Sequence, residues 1–198
     1  MNNLKELFEI QAGLDAEILK NHPIQPGEDR LEKKHAALLV ELGEMFNEWR
    51  AFKFWSNDQT PRTEIDIKCL ECEGLGLISH DEECAYCEGT GYIKGDLVLK
   101  ELVDCLHFVL SIGIEMQNIH PVFLALVAEE ARAVKYDYQS IEQAFISLLQ
   151  LDWTADDYEE GINYFIGFTE KLGYTWEQVT EAYLEKNQEN HYRQMNGY

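Results

Sequence analysis

Apolar side chains recur at three- and four-residue steps along most of this chain. A chain patterned in that way buries its apolar surface by packing helix on helix. Leu4, Leu7, Phe8, Gln11, Leu14 and Ile18 set the first stripe, which His22-Pro23-Ile24-Gln25-Pro26-Gly27 interrupts. A second helix is expected from about Asp29 to Trp55 and a third from about Leu97 to Gln117. Phe123 to Leu149 reads as one helix or a pair broken at Lys135-Tyr136-Asp137-Tyr138. Two further helices are expected over Asp156–Leu172 and Trp176–Asn187, with Thr154 and Thr175 as N-caps and Gly173 as a stop. The fold class is therefore all-α, a helical bundle with few or no long strands, and 198 residues make one domain over 1–198.

Residues 57–95 break the pattern and read as a small Cys-rich insertion between the second and third helices, without an apolar core of its own. Gly76-Leu77-Ile78 and Gly91-Tyr92-Ile93 suit short hairpin strands. Cys69-x-x-Cys72 and Cys84-x-x-Cys87 stand eleven residues apart, and each pair is followed by Gly-x-Gly. Four thiolates suit a closed tetrahedral Zn²⁺ site, and glycine lets backbone amides approach the sulfurs. Two disulfides or free thiols are the alternatives, and both are less expected than metal in a cytosolic chain. The repeat resembles one zinc module of the cysteine-rich domain of J-domain chaperones. His80 could lie nearby, but four cysteines already fill the shell, and Cys105 reads as a buried helix residue. The polar, acidic start is unlike a secretory signal, and no stretch approaches the ~20 apolar residues of a membrane span. A cytoplasmic protein is expected.

The second helix carries Glu41, Glu44 and Glu48 within about 60° of one another, beside Leu38, Leu42, Met45 and Trp49. The third carries Glu101 and Asp104 on a face with Leu97, Cys105, Phe108 and Ile112, with Lys100, His107 and Ser111 on another side. Either pair alone is an ordinary solvated face. Packed face to face, the two would collect four carboxylates with no Arg or Lys among them, which only cations or shared protons make tolerable. Oxygen donors without His or Cys suit Mg²⁺ or Mn²⁺, and such a cage suits phosphoryl chemistry. The net charge of −21 repels nucleic acid and anionic lipid, so neither is an expected partner. Against that background, Lys186, Asn190 and Arg193 follow at i, i+4 and i+7, one helical face of phosphate-binding donors; the alternative is a frayed tail.

E-x-x-E at Glu41/Glu44 followed by E-x-x-D at Glu101/Asp104 resembles the dimeric all-α dUTPase family, within the wider MazG-like nucleoside triphosphate pyrophosphatases. Leu7-Phe8-Glu9-Ile10-Gln11-Ala12-Gly13-Leu14-Asp15, Trp49-Arg50-Ala51-Phe52-Lys53-Phe54-Trp55 and the terminal K-N-x-x-N-x-x-R-x-x-x-G-Y from Lys186 to Tyr198 extend the match over most of the chain outside the cysteines. The resemblance implies Mg²⁺-dependent hydrolysis of dUTP to dUMP and pyrophosphate by a homodimer, whose interface the 121–172 helices would supply. It implies that Glu41, Glu44, Glu101 and Asp104 bind the metal, with Glu41 and Glu44 catalytic. Gln11 and Asp15 would face the base, Phe54 and Trp55 would stack on it, and Phe108 would press on the deoxyribose. Lys53, Lys186, Asn190, Arg193 and Tyr198 would bind the phosphates. Asp15 departs from the Asn often found in the family. A dCTP-directed or broader house-cleaning pyrophosphatase, and a catalytically silent zinc-bearing protein-binding module, are the other readings.

Overall fold

A computed structural model describes residues 4–79, 82–119 and 139–197. Six helices lie among them: α1 (Leu4–Asn21), α2 (Arg30–Trp49), α3 (Leu97–Ile119), α4 (Ile141–Gln150), α5 (Tyr158–Leu172) and α6 (Trp176–Met195). The structure is all-α apart from four short strands: β1 (Ile65–Lys68), β2 (Leu77–Ser79), β3 (Glu82–Glu83) and β4 (Tyr92–Gly95). The expected helix from Phe123 and its break at Lys135–Tyr138 begin outside the described residues, which also exclude His80 and Tyr198. No helix among the described residues is long and apolar enough to cross a membrane.

Helix α3 is the central element, with Val98, Leu102, Val103, Leu106, Val109, Leu110, Ile112 and Met116 all buried. Buried apolar residues spread over a wide arc of its surface let α1, α2, α5 and α6 pack against it. Its start is tied down twice: Asp96 accepts from the Leu99 amide at 2.8 Å and from the Tyr174 hydroxyl at 2.9 Å. Asp29 caps α2 through the Glu32 amide, and Thr175 forms a reciprocal capping box with Gln178 on α6.

Three boundaries differ from the sequence reading. Helix α2 stops at Trp49, not Trp55, because Arg50 turns into the left-handed region at φ 60°. That turn brings Phe52 back onto Phe46, with ring centroids 4.6 Å apart, and Phe46 also stacks on Phe145 of α4. Burying two rings outweighs another turn of helix. Asp157, not Thr154, precedes α5, and the Thr154 carbonyl instead closes a turn onto the Asp157 amide. Helix α6 runs eight residues past Asn187, carrying the terminal polar motif with it.

The two expected hairpin segments do not pair with each other. β1 pairs with β4 and β2 with β3, both antiparallel. The β1–β4 ladder forms two legs that rise from the ends of α2 and α3 and carry the four cysteines at their tip.

Candidate functional site

Helices α1, α2, α3 and α6 enclose a cavity of about 730 Å³. Gln11, Asp15, Glu41, Asp104, Phe108, Lys186, Asn190 and Arg193, drawn from all four helices, line it. The i, i+4, i+7 spacing of the last three puts them on one face of α6, which remains helical to Met195.

At one end the carboxylate oxygens of Glu41, Glu101 and Asp104 lie within 4.8 Å of one another. Glu44 is outside this group, exposed on the same helix one turn further on. Glu48 is also diverted: it pairs with Arg62 at 2.9 Å, which fastens the first leg of the insertion to α2. The acidic cluster is not free of basic groups, contrary to the sequence reading. Lys186 Nζ sits 3.0 Å from Asp104 Oδ2 and is only 8% exposed, and Lys100 pairs with Glu101 at 2.7 Å. Spacing within α2 and α3 could not reveal a lysine delivered by α6.

Two cations do not neutralise the cluster. Burial, and then the charges of Asp104, Glu44 and Glu101, push the Glu41 carboxyl up to about 7 in spite of Lys186. Burial also raises the Asp104 carboxyl, against the opposing pull of Lys186. The donor set is all oxygen and holds surplus negative charge, which fits a hard divalent cation such as Mg²⁺.

A pH dependence follows from these shifts. The folded-state pKa of Glu41 lies above its ordinary value of 4.5, so the folded protein holds the proton more tightly than the unfolded chain does. This group therefore makes metal-free protein lose stability as pH rises from about 4.5 to 7. Denaturant unfolding in EDTA at pH 5 and pH 8 should show that decline, and Glu41→Gln should flatten it. Equal slopes in the two proteins would remove Glu41 as the origin.

The far end of the cavity is a hydrogen-bonded network that the sequence reading only half found. Gln11 Oε1 accepts from Tyr183 Oη at 2.9 Å and pairs with His107 Nδ1 at 2.8 Å, while Gln11 Nε2 donates to Asp15 at 2.7 Å. Asp15 also accepts from Ser111 Oγ at 2.5 Å and pairs with Lys34 at 3.3 Å, and Lys34 reaches Glu115 at 2.8 Å. Burial drives the His107 ring down to about 3, so it is neutral and donates through Nδ1 to the amide oxygen. His107 and Ser111 thus belong to the site and not to another side of α3. The missed residues carried a readable signal. Ser111 is seven residues beyond Asp104, Lys34 seven before Glu41, and Tyr183 three before Lys186, all same-face offsets.

Lys53, Phe54 and Trp55 are not brought to this cavity. They follow the early end of α2, where Lys53 bonds Asn47 and Phe54 and Trp55 are 83% and 66% exposed. The cysteine cluster is separate again: Cys69, Cys72, Cys84 and Cys87 converge within 4.8 Å and could hold a metal ion.

A family model described as dUTPase matches residues 3–70 and 92–198, leaving out 71–91 at the tip of the insertion. No curated protein matches the chain.

Proposed function

Because the chain belongs to the all-α dUTPase family, we propose that it hydrolyses dUTP to dUMP and pyrophosphate with Mg²⁺ as cofactor. The observation that carries this reading is the cavity with an acidic cluster at one end and a fixed amide at the other. Seven residues of α3 separate Asp104 from Ser111, roughly 10 Å of helical rise. That is the scale of a deoxynucleoside monophosphate, so the α-phosphate and the base can occupy the two ends together.

Glu41, Glu101 and Asp104 would hold the metal. When bound, Mg²⁺ offsets the phosphate charge and acidifies water. Glu44, outside the close group and facing solvent, is the carboxylate left to take a proton from the attacking water. That water adds to the α-phosphorus, and the bond to the α–β bridging oxygen breaks to release pyrophosphate. Lys186, which contacts Asp104, and Asn190 and Arg193 further along α6 line the cavity and would supply donors to the phosphate oxygens. Phe108, one turn from Asp104 in the cavity lining, would press on the sugar. Gln11 is held by three partners, so it meets the base pre-oriented.

A second reading has its own support. Asp15 puts a carboxylate acceptor at the base end, and a carboxylate accepts from a cytosine amine as readily as from the uracil imide. The decisive experiment measures pyrophosphate release from dUTP, dCTP, dTTP and ATP, with Mg²⁺ and with EDTA. Mg²⁺-dependent release mainly from dUTP supports the first reading. Equal or greater release from dCTP moves the assignment to a broader or dCTP-directed pyrophosphatase. No release from any substrate rejects catalysis and favours the zinc-bearing binding module. We further propose that the enzyme is a cytoplasmic homodimer, which sedimentation would test. Exposed Phe54 and Trp55 would then be open to contact with a second subunit.

A further inference from the structure

We propose that Cys69, Cys72, Cys84 and Cys87 bind one Zn²⁺ in a closed tetrathiolate site whose task is to fold the tip of the insertion. The distances support an ion. Cys69 and Cys84 sulfurs lie 3.8 Å apart and those of Cys72 and Cys87 3.7 Å apart. A zinc tetrahedron with Zn–S bonds of about 2.3 Å has edges of about 3.8 Å, whereas a disulfide needs about 2.05 Å.

The backbone is built for the same purpose. The segment is two copies of one knuckle. Gly74 and Gly89 amides donate to the carbonyls of Cys69 and Cys84, and Gly76 and Gly91 amides donate to the sulfurs of Cys72 and Cys87 at 3.3 and 3.2 Å. Each copy braces the other: the Cys69 amide donates to Gly91 and the Cys84 amide to Gly76. The close approach requires glycine. A Cβ on Gly76 would stand 2.3 Å from the Gly89 oxygen, and one on Gly91 2.4 Å from the Gly74 oxygen. Amides aimed at sulfur favour the thiolate, the form that binds metal.

Among the described residues of the segment, little apolar packing supports these hydrogen bonds. The four cysteines are 0–5% exposed, and partly buried Ile93 is the hydrophobic residue packed against them. Leu70, Leu75 and Tyr86 face solvent instead. About twenty residues cannot offset their conformational entropy with so little apolar burial, and a metal supplies what is missing. Four sulfur ligands leave no position for water or substrate, so the site is structural. The cavity does not depend on it directly. Arg62–Glu48 and Asp96–Tyr174 anchor the legs on the helical side of the β1–β4 ladder.

The full-length protein, purified under reducing conditions, should contain one zinc per chain by elemental analysis. Exchange with Co²⁺ should give the intense absorption of a tetrahedral thiolate site. An organomercurial should release the zinc as four thiols react. Cys72→Ser/Cys87→Ser should hold at least roughly tenfold less zinc and be cleaved by protease within residues 69–91 while the helical body survives, whereas Cys105→Ser should retain the ion. Should the double variant fail to fold, the wild-type zinc content and cobalt spectrum still decide. Folded wild-type protein with no zinc, with disulfides among the four cysteines, or with no cobalt–thiolate absorption would overturn the proposal. Each readout is independent of dUTP hydrolysis, so failure here is distinguishable from failure of the catalytic reading.

Discussion

Asp104→Asn is expected to lower turnover by roughly a thousandfold or more, equivalent to about 4 kcal/mol of activation free energy, while the helical fold persists. Asp104 is placed where three helices meet. It comes from α3, contacts Lys186 of α6 at 3.0 Å, and shares the acidic cluster with Glu41 of α2. The amide keeps the shape but removes a ligand charge, so the attraction for a divalent cation falls together with the order imposed on Lys186. Two opposing effects limit the damage to the fold. Lys186 loses its closest anion, which is costly for a buried ammonium. Glu41 loses a neighbour that pushes its carboxyl towards neutrality, and burial of the Asp104 charge is relieved. The checks are steady-state pyrophosphate release and urea unfolding of the same preparation. Wild-type turnover in a folded variant would remove Asp104 from the metal site. Loss of fold would instead make the Lys186 contact chiefly structural.

Gly113→Ala is expected to destabilise the protein by about 2–4 kcal/mol, although alanine is the better helix former by roughly 1 kcal/mol. A Cβ at Gly113 on α3 would stand 2.3 Å from Tyr158 Oη and 2.5 Å from Cζ. Tyr158 cannot swing aside easily. It is fully buried, and its hydroxyl donates to the Val109 carbonyl at 2.6 Å. The methyl group therefore either displaces the ring, breaking that bond, or pushes α5 away from α3. Gly43 on α2 is the control, because a Cβ there meets nothing within 4 Å. Gly43→Ala should stabilise by about 0.5–1 kcal/mol. In a Tyr158→Leu background the cost of Gly113→Ala should shrink, and additivity of the two would show that the ring is not what the methyl meets.

The helices were legible because their signal is local. The apolar repeat of α1, the Thr175 cap and the Gly173 stop depend on residues a few positions apart, and the structure places them as the periodicity implies. The early end of α2 was not legible. It depends on Phe52 finding Phe46 and on Phe46 stacking against Phe145, a residue nearly a hundred positions away. The site divides along the same line. Glu41 and Asp104 each lie on a readable face of one helix, and so do Lys186, Asn190 and Arg193. That Lys186 would lie on Asp104, that His107 would hold Gln11, and that Lys34 would bridge Asp15 and Glu115 are facts of packing between helices.

Sequence alone determined which residues share a helix face and which four cysteines form matched pairs, because backbone hydrogen bonding sets a 3.6-residue period whatever the rest of the chain does. It also carried the family, through motifs in a preserved order. Tertiary structure decided which faces meet, and with that the membership and charge state of the site. Glu44 stays outside the closest carboxylate group, Lys53, Phe54 and Trp55 turn away from the cavity, and Glu41 is driven to about 7 by burial and by neighbours from another helix. Those outcomes depend on distances across helix interfaces, where interdigitating side chains set the register and no local period encodes it.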